Sequence, residues 1–163
     1  MKKILLIVLI SAVGYVIFCY GAFSADRVAS FLDRFEDEIN QGNPSVACRK
    51  LSDSIQFSTY DKTKFPPQRI SGGKKELCEH FEVVSRHYAT ALIADRHYKS
   101  DLVVDKSAKS WSQATVSYSE HHEVEFFPSR EKIKTISNEQ MTLKRNGTGF
   151  TVTKWTGETT MEQ

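Results

Sequence analysis

Apolar residues recur at helical spacing through the first half of the chain. Between residue 25 and Ile39 they lie three or four positions apart, which predicts an amphipathic helix over residues 25–41. Asn43 followed by Pro44 is typical of a helix start, so a second, shorter helix is predicted to begin there. The apolar positions of this second helix are Val46, Cys48, Leu51 and Ile55.

A loop and a third helix are predicted next. Residues 57–73 contain the breakers FPP and SGG, which favour a loop. The third helix begins near Lys74 and ends between His87 and His97. Its apolar positions are Leu77, Phe81, Val84, Tyr88 and Leu92.

The apolar period then shortens from 3.6 to two, which predicts strands. The predicted strands are residues 101–105, 112–127, 131–145 and 150–161. Short turns join the last three, so they are expected to form an antiparallel meander. Three helices followed by strands predict an α+β fold, in which the helices pack on one face of a curved antiparallel sheet.

The chain starts with a different pattern. Lys2 and Lys3 precede an uncharged run of 20 residues, 4–23, whose helical length of roughly 30 Å matches the hydrocarbon core of a bilayer. Positive charge before the run and Asp26 after it favour export of the rest of the chain. We therefore expect a single-pass inner-membrane protein, anchored through residues 4–23, whose residues 24–163 form a periplasmic or extracellular domain.

A cleaved signal peptide is the alternative interpretation of the same run. Ala22 and Ser24 are small residues suitably placed for cleavage before Ala25, which would give a secreted domain. The domain is exported under either interpretation.

Charge and length limit the partners. The 163 residues carry 22 Lys and Arg against 20 Asp and Glu, and without Lys2 and Lys3 the charges balance. A neutral chain with no basic block gives no reason to expect a nucleic-acid partner. The length fits one domain after the apolar run.

Only Cys48 and Cys78 lie outside the apolar run. In an oxidising compartment two cysteines most simply form a disulfide, although two reduced buried thiols remain the alternative.

A family resemblance is carried by the closing segment NGTGFTVTKWTGE, residues 146–158. Three helices followed by a meander with this ending resemble the nuclear transport factor 2-like superfamily, also called SnoaL-like or ketosteroid isomerase-like. The cysteines in ACRKL and ELCEH also resemble those of exported members. The resemblance covers residues 25–161 and implies a cone-shaped sheet around a long helix, with a pocket at the open end. Members include isomerases, dehydratases, hydrolases and subunits without chemistry, so the fold does not determine function.

The predicted pocket lies where two strands become polar on their apolar face. Glu120 and His122 share the parity of Val116, Tyr118 and Val124, and an acid beside an imidazole in a poorly solvated pocket would have shifted pKa values. The alternative is a β-bulge that turns both side chains to solvent, or a position at an exposed end of the sheet. The candidate pocket residues are Tyr88, Tyr118, Glu120, His122, Ser137 and Glu139.

No catalytic role, metal site or cofactor is assigned from the sequence. His80, His87, His97, His121 and His122 lack the spacing of a zinc site. The predicted function is a membrane-anchored binding or scaffold module for a partner protein or a small ligand, with a homodimer through the sheet as one possible assembly. The alternative is a small pocket enzyme of isomerase, dehydratase or hydrolase type that uses Glu120 and His122.

Overall fold

The computed structural model describes residues 10–11, 13–14, 23–90, 93–106, 112–126, 131–147 and 149–162. Within this part of the chain an α+β fold is formed by three helices of six or more residues and six strands. The helices are α1 (Ala25–Asn40), α2 (Pro44–Arg49) and α3 (Lys74–Thr90). The strands are β1 (Leu51–Asp61), β2 (Gln68–Gly72), β3 (Ile93–Asp105), β4 (Gln113–Phe126), β5 (Glu131–Asn146) and β6 (Gly149–Met161).

The sheet is mixed rather than purely antiparallel. Its strand order is β2-β1-β6-β5-β4-β3, and every neighbouring pair is antiparallel except β1 and β6, which run parallel. The meander of the last strands is as predicted. The expectation of a wholly antiparallel sheet was wrong because a strand that the sequence did not reveal, β1, adds to the edge of the last strand.

The second helix is shorter than predicted. It ends at Arg49, and Leu51 and Ile55 lie on β1, where both are buried. The register of β1 against β6 shifts between Leu51 and Gln56. The apolar residues of the short helix and of this irregular strand therefore have the sequence spacing of a single longer helix. Most of the predicted loop over residues 57–73 is therefore the β1–β2 hairpin, because pairing within the sheet outweighs local preference.

The remaining boundaries agree more closely. β4, β5 and β6 match the predicted strands within one residue at each end. The first helix is confirmed, and α3 ends at Thr90, inside the predicted interval. β3 is longer than predicted, because it begins at Ile93 instead of residue 101.

The core lies between the helices and one face of the sheet, here called the inner face. α1 contributes Val28, Leu32 and Phe35, and the sheet contributes residues such as Val116 and Met141. Phe23 also belongs to this core, with 2% exposure and its ring centroid 5.2 Å from that of Phe150. The folded domain therefore includes the last residue of the predicted apolar run.

The predicted disulfide is confirmed. Cys48 on α2 and Cys78 on α3 are bonded, with their Cα atoms 5.7 Å apart. The bond ties the two helices together across the β1–β2 hairpin.

In the part of the chain that the structure describes, no helix is long and apolar enough to cross a bilayer. The predicted anchor, residues 4–23, lies largely outside that part, although residues 10–11 and 13–14 are helical. The anchor and the cleavage site remain predictions.

Candidate functional site

Glu120 and His122 lie on the inner face of β4. Val116 and Tyr118 of the same parity are buried, and the side chains of Glu120 and His122 are 15% and 22% exposed. β4 pairs with β5 from Gln113 to Phe126 without a register shift. The alternation that starts in the core therefore continues through both polar residues.

Lys99 on β3 forms the centre of a group of charges on this face. Its Nζ contacts the carboxylate of Glu36, lies 3.1 Å from Asp33 Oδ1 and lies 3.8 Å from Glu120 Oε1. Asp33 and Glu36 belong to α1. The ammonium group thus connects the first helix to two adjacent strands.

Two histidines complete the group. His97 Nε2 lies 3.1 Å from Glu36 Oε1, and His122 Nε2 lies 3.7 Å from Glu120 Oε2. The two imidazole rings are neighbours, with centroids 5.9 Å apart. These side chains form a set here called the ionic cluster, whose acids and bases are paired mainly with one another. Its six residues are Asp33, Glu36, His97, Lys99, Glu120 and His122.

Burial and ion pairing shift the pKa values of three groups in the ionic cluster. Burial raises the pKa of Glu36, and the nearby charge of Glu120 raises it further. Burial acts in the same direction on Glu120, but its contacts with His122 outweigh that effect and lower its pKa. For Lys99, burial opposes the charged form, and the hydrogen bond to Glu36 more than compensates, so its pKa is raised. Glu120 therefore keeps its negative charge, and Glu36 takes up a proton more easily.

Glu139 lies on the inner face of β5, beside this cluster. Its Oε2 accepts a hydrogen bond of 2.6 Å from Trp155 Nε1, and burial raises the pKa of Glu139 to about 7. Gly157 is its partner on β6, and a Cβ at that position would clash with the Glu139 carboxylate. The absence of a side chain at Gly157 provides the space in which the carboxyl group lies. Tyr118 is close by, and burial raises the pKa of its hydroxyl well above the ordinary value.

The other predicted pocket residues are placed differently. Ser137 is buried, and its hydroxyl forms a hydrogen bond of 2.7 Å with Thr159 Oγ1. Tyr88 is 38% exposed on α3, so it is the most solvent-accessible of the six candidates. The other five share the inner face of two adjacent strands: Tyr118, Glu120, His122, Ser137 and Glu139.

A cavity of about 460 Å³ lies on the opposite face of the sheet, here called the outer face. Alternation turns the side chains of Tyr118 and Glu139 inward, so these two residues meet the cavity through their main chain. The cavity and its rim are called the outer groove. Most of its lining side chains are neutral hydrogen-bonding groups. The neutral ones are Ser117, Ser119, Asn138, Gln140 and Thr156, and the charged ones are Asp101 and Glu158.

Sequence reasoning missed the residues that complete the ionic cluster around Glu120 and His122. Lys99 and His97 pair with Glu120 and His122 across β3 and β4, but β3 was predicted to begin after them. Glu36 lies on α1, and its side chain is only 16% exposed. Residues 93–100 read IADRHYKS, without a clear alternation of apolar and polar positions, so no local pattern located the two basic residues.

Solved structures with the same architecture identify the fold. A protein with a cystatin-like fold from Novosphingobium aromaticivorans matches with a TM-score of 0.57 at 10% identity, over 82% of this chain and 79% of that chain. It is described as similar to nuclear transport factor 2. The chain has the nuclear transport factor 2-like fold. No protein-family model and no curated protein sequence matches it.

Other proteins with the nuclear transport factor 2-like fold differ in role. A scytalone dehydratase-like protein from N. aromaticivorans has a TM-score of 0.63 at 12% identity, over 82% of both chains. The beta subunit of benzoate 1,2-dioxygenase from Burkholderia mallei also has a TM-score of 0.63, at 9% identity, over 83% of this chain and 89% of that one. At these identities the nuclear transport factor 2-like fold is shared and function is not transferred.

Proposed function

We propose that this chain is an exported binding module, held at the membrane, that takes a partner protein or a small polar ligand on the outer groove. The carrying observation is the contrast between the two faces of the sheet. On the inner face the charged groups of the ionic cluster are compensated within the cluster and contact α1. The outer face presents an open cavity lined mainly by neutral side chains, and their hydrogen bonds, Ser119 with Asn138 and Gln140 with Ser117, are exposed to solvent.

The pairing of the ionic cluster supports a structural role for it. Lys99 lies between α1 and β4, and its side chain is only 15% exposed. A buried ion pair is costly to break from one side, because the remaining charge loses its partner. The cluster therefore fixes α1 against the polar end of the sheet.

The burial of Phe23 supports retention of the N-terminal segment. Cleavage before Ala25 would remove a residue that is 2% exposed and packs against Phe150. An uncleaved segment of residues 4–23 would hold the domain at the membrane, which positions a binding module. A reporter fused after Gln163 tests the orientation: it should be active only if it works outside the cytoplasm, and activity of a cytoplasm-only reporter would contradict export.

Native mass spectrometry of the full chain, extracted from its own membranes, tests the binding proposal. The wild type is expected to carry additional mass, from a polypeptide or a small molecule. Asn138→Trp, which fills the outer groove, should lose that mass, and Glu120→Gln, the matched change on the inner face, should keep it. A wild type found only at its own mass, or loss of the bound species in Glu120→Gln alone, would contradict the proposal.

A pocket enzyme is the second candidate, and it has one specific observation in its favour. Glu120 and His122 lie 3.7 Å apart, and the nearby Glu139 has a pKa of about 7, which suits proton transfer near neutral pH. This function predicts that Glu139→Gln abolishes turnover while leaving binding intact. The shared fold with a dehydratase-like protein is compatible with the enzyme proposal. The shared fold with a dioxygenase subunit is equally compatible with the binding proposal.

A further inference from the structure

Ser100, His121 and Glu162 meet on the outer face of the sheet. Ser100 Oγ lies 3.2 Å from His121 Nε2, and His121 Nδ1 lies 3.1 Å from Glu162 Oε1. A hydroxyl at one imidazole nitrogen and a carboxylate at the other is the arrangement by which proteins activate a serine. We propose that Ser100 is a nucleophile that accepts acyl groups from small polar carboxylic esters, with His121 as its base and Glu162 as the residue that positions the imidazole.

The surroundings of His121 favour the required tautomer. Glu162 is placed to accept the proton of Nδ1, which leaves the Nε2 lone pair toward Ser100. The Tyr98 ring stacks on the imidazole, with centroids 4.5 Å apart and an interplanar angle of 3°. The side chain of His121 is 16% exposed. The ring is therefore held in one orientation by the stacked tyrosine and the carboxylate.

Ser100 adjoins a local distortion of β3. The register of β3 against β4 shifts after Ser100, so Asp101 and Leu102 both lie opposite Tyr118. Asp101 has a φ of 55°, an uncommon conformation for a residue other than glycine. Such a bulge interrupts the ladder of main-chain hydrogen bonds, and main-chain amides beside it are candidate donors to an oxyanion.

In the structure the hydroxyl of Ser100 donates its hydrogen bond to Asp101 rather than to His121. The distance from Ser100 Oγ to Asp101 Oδ2 is 2.9 Å, and a hydroxyl has only one proton to donate. Rotation about the C–O bond of Ser100 turns that proton to His121 Nε2, which is already within reach. Attack therefore needs a rotation of one hydroxyl and no movement of the backbone.

The outer groove indicates the class of substrate. Asp101, which is next to Ser100 in the chain, lines it, and so does Ser119, the cross-strand partner of Ser100. The groove is open to solvent, and its hydroxyl and amide lining favours a small polar molecule.

The reaction balances with water as the second substrate. Ser100 Oγ bonds to the ester carbonyl carbon while its proton passes to His121 Nε2. The C–O bond to the alcohol then breaks, and the alcohol leaves with that proton, so the acyl group remains on Ser100. Water next gives a proton to His121 and attacks the acyl carbon, and the acid leaves as Ser100 recovers its proton.

A tagged fluorophosphonate, which reacts with activated serines, tests the proposal on the full-length chain in detergent. Peptide mass spectrometry should find the adduct on Ser100 in the wild type. Ser100→Ala should not be labelled. Ser58→Ala is the control, because Ser58 lies on β1 and is not part of the Ser100–His121–Glu162 site, and it should be labelled as the wild type is. An unlabelled wild type, or an adduct at another residue, would overturn the proposal whatever the variants do.

The rate of labelling tests the roles of the other two residues. His121→Gln is expected to slow it by at least about 100-fold, because a general base contributes that much or more. Glu162→Gln should also slow labelling, and Glu162→Asp should restore part of the rate. Equal rates in the wild type and in His121→Gln, with both proteins folded by circular dichroism, would show that the serine is not activated. This result can be distinguished from failure of the binding proposal, because the native mass spectrometry that tests binding is done without the fluorophosphonate.

Discussion

Trp155 Nε1–H donates a hydrogen bond of 2.6 Å to Glu139 Oε2, and the Glu139 carboxylate occupies the space left by the missing side chain of Gly157. The indole also packs among aromatic rings, with its centroid 6.0 Å from Phe35 and 5.9 Å from Phe81. The hydrogen bond therefore connects the aromatic core to a buried acid. It does not by itself keep the acid ionised, because burial raises the pKa of Glu139 to about 7.

Stability is expected to depend on pH through Glu139. Its folded-state pKa of about 7 exceeds the ordinary value of 4.5, so the folded state holds the proton more tightly and stability falls as pH rises between these values. Glu139→Gln keeps an acceptor for Trp155 and does not ionise. Urea unfolding should show it up to about 3 kcal/mol more stable than the wild type at pH 8, and similar at pH 4.5. Parallel pH curves for the two proteins would contradict this.

Gly157→Ala should displace the Glu139 side chain, since the added Cβ would clash with the carboxylate. Gly149→Ala is the matched control, because the nearest atom to its added Cβ is 3.9 Å away. We expect a clear loss of unfolding free energy in the first variant and a small change in the second. Adding Glu139→Ala to Gly157→Ala should recover part of the loss, so that the two effects are not additive. Strict additivity would show that the clash is not the cause.

Phe23→Ala should destabilise the domain by about 3 kcal/mol, because it empties a buried aromatic site next to Phe150. Phe65→Ala is the control, since the Phe65 side chain is fully exposed. Thermal unfolding compares the two variants. Equal melting temperatures would mean that Phe23 is not part of the core, and the argument against cleavage before Ala25 would fail with it.

Cys48→Ala should cost roughly 3 to 4 kcal/mol of unfolding free energy, the amount expected for opening a loop of about 30 residues. Non-reducing electrophoresis should show faster migration of the oxidised wild type and no such difference for the variant. Free thiols at Cys48 and Cys78 in protein isolated from its own compartment would contradict the bond.

The sequence predicts the later strands well for a physical reason. Along β4 the buried residues Ala114, Val116 and Tyr118 alternate with partly exposed ones, and this local pattern also locates the inner face. The sequence could not predict β1, because Leu51 and Ile55 fit helical spacing and the segment becomes a strand only by pairing with the distant β6.

The side-chain clusters depend on contacts between distant residues. Lys99 pairs with Glu36 across 63 positions, and His121 contacts Glu162 across 41. Alternation predicts which face a residue occupies, but not which residue of another strand or helix will meet it. The candidate pocket could therefore be located approximately, while the groups that neutralise it, and the serine site on the other face, required the tertiary structure.

Photo-cross-linking in native membranes tests most directly whether the outer groove is the recognition face. In one variant a photoreactive amino acid replaces Gln140 in the groove. In the control variant it replaces Lys75 on α3, whose side chain is 82% exposed. Binding at the groove predicts a discrete adduct from position 140 and none from position 75. No adduct from position 140, or an adduct from position 75 alone, would contradict it.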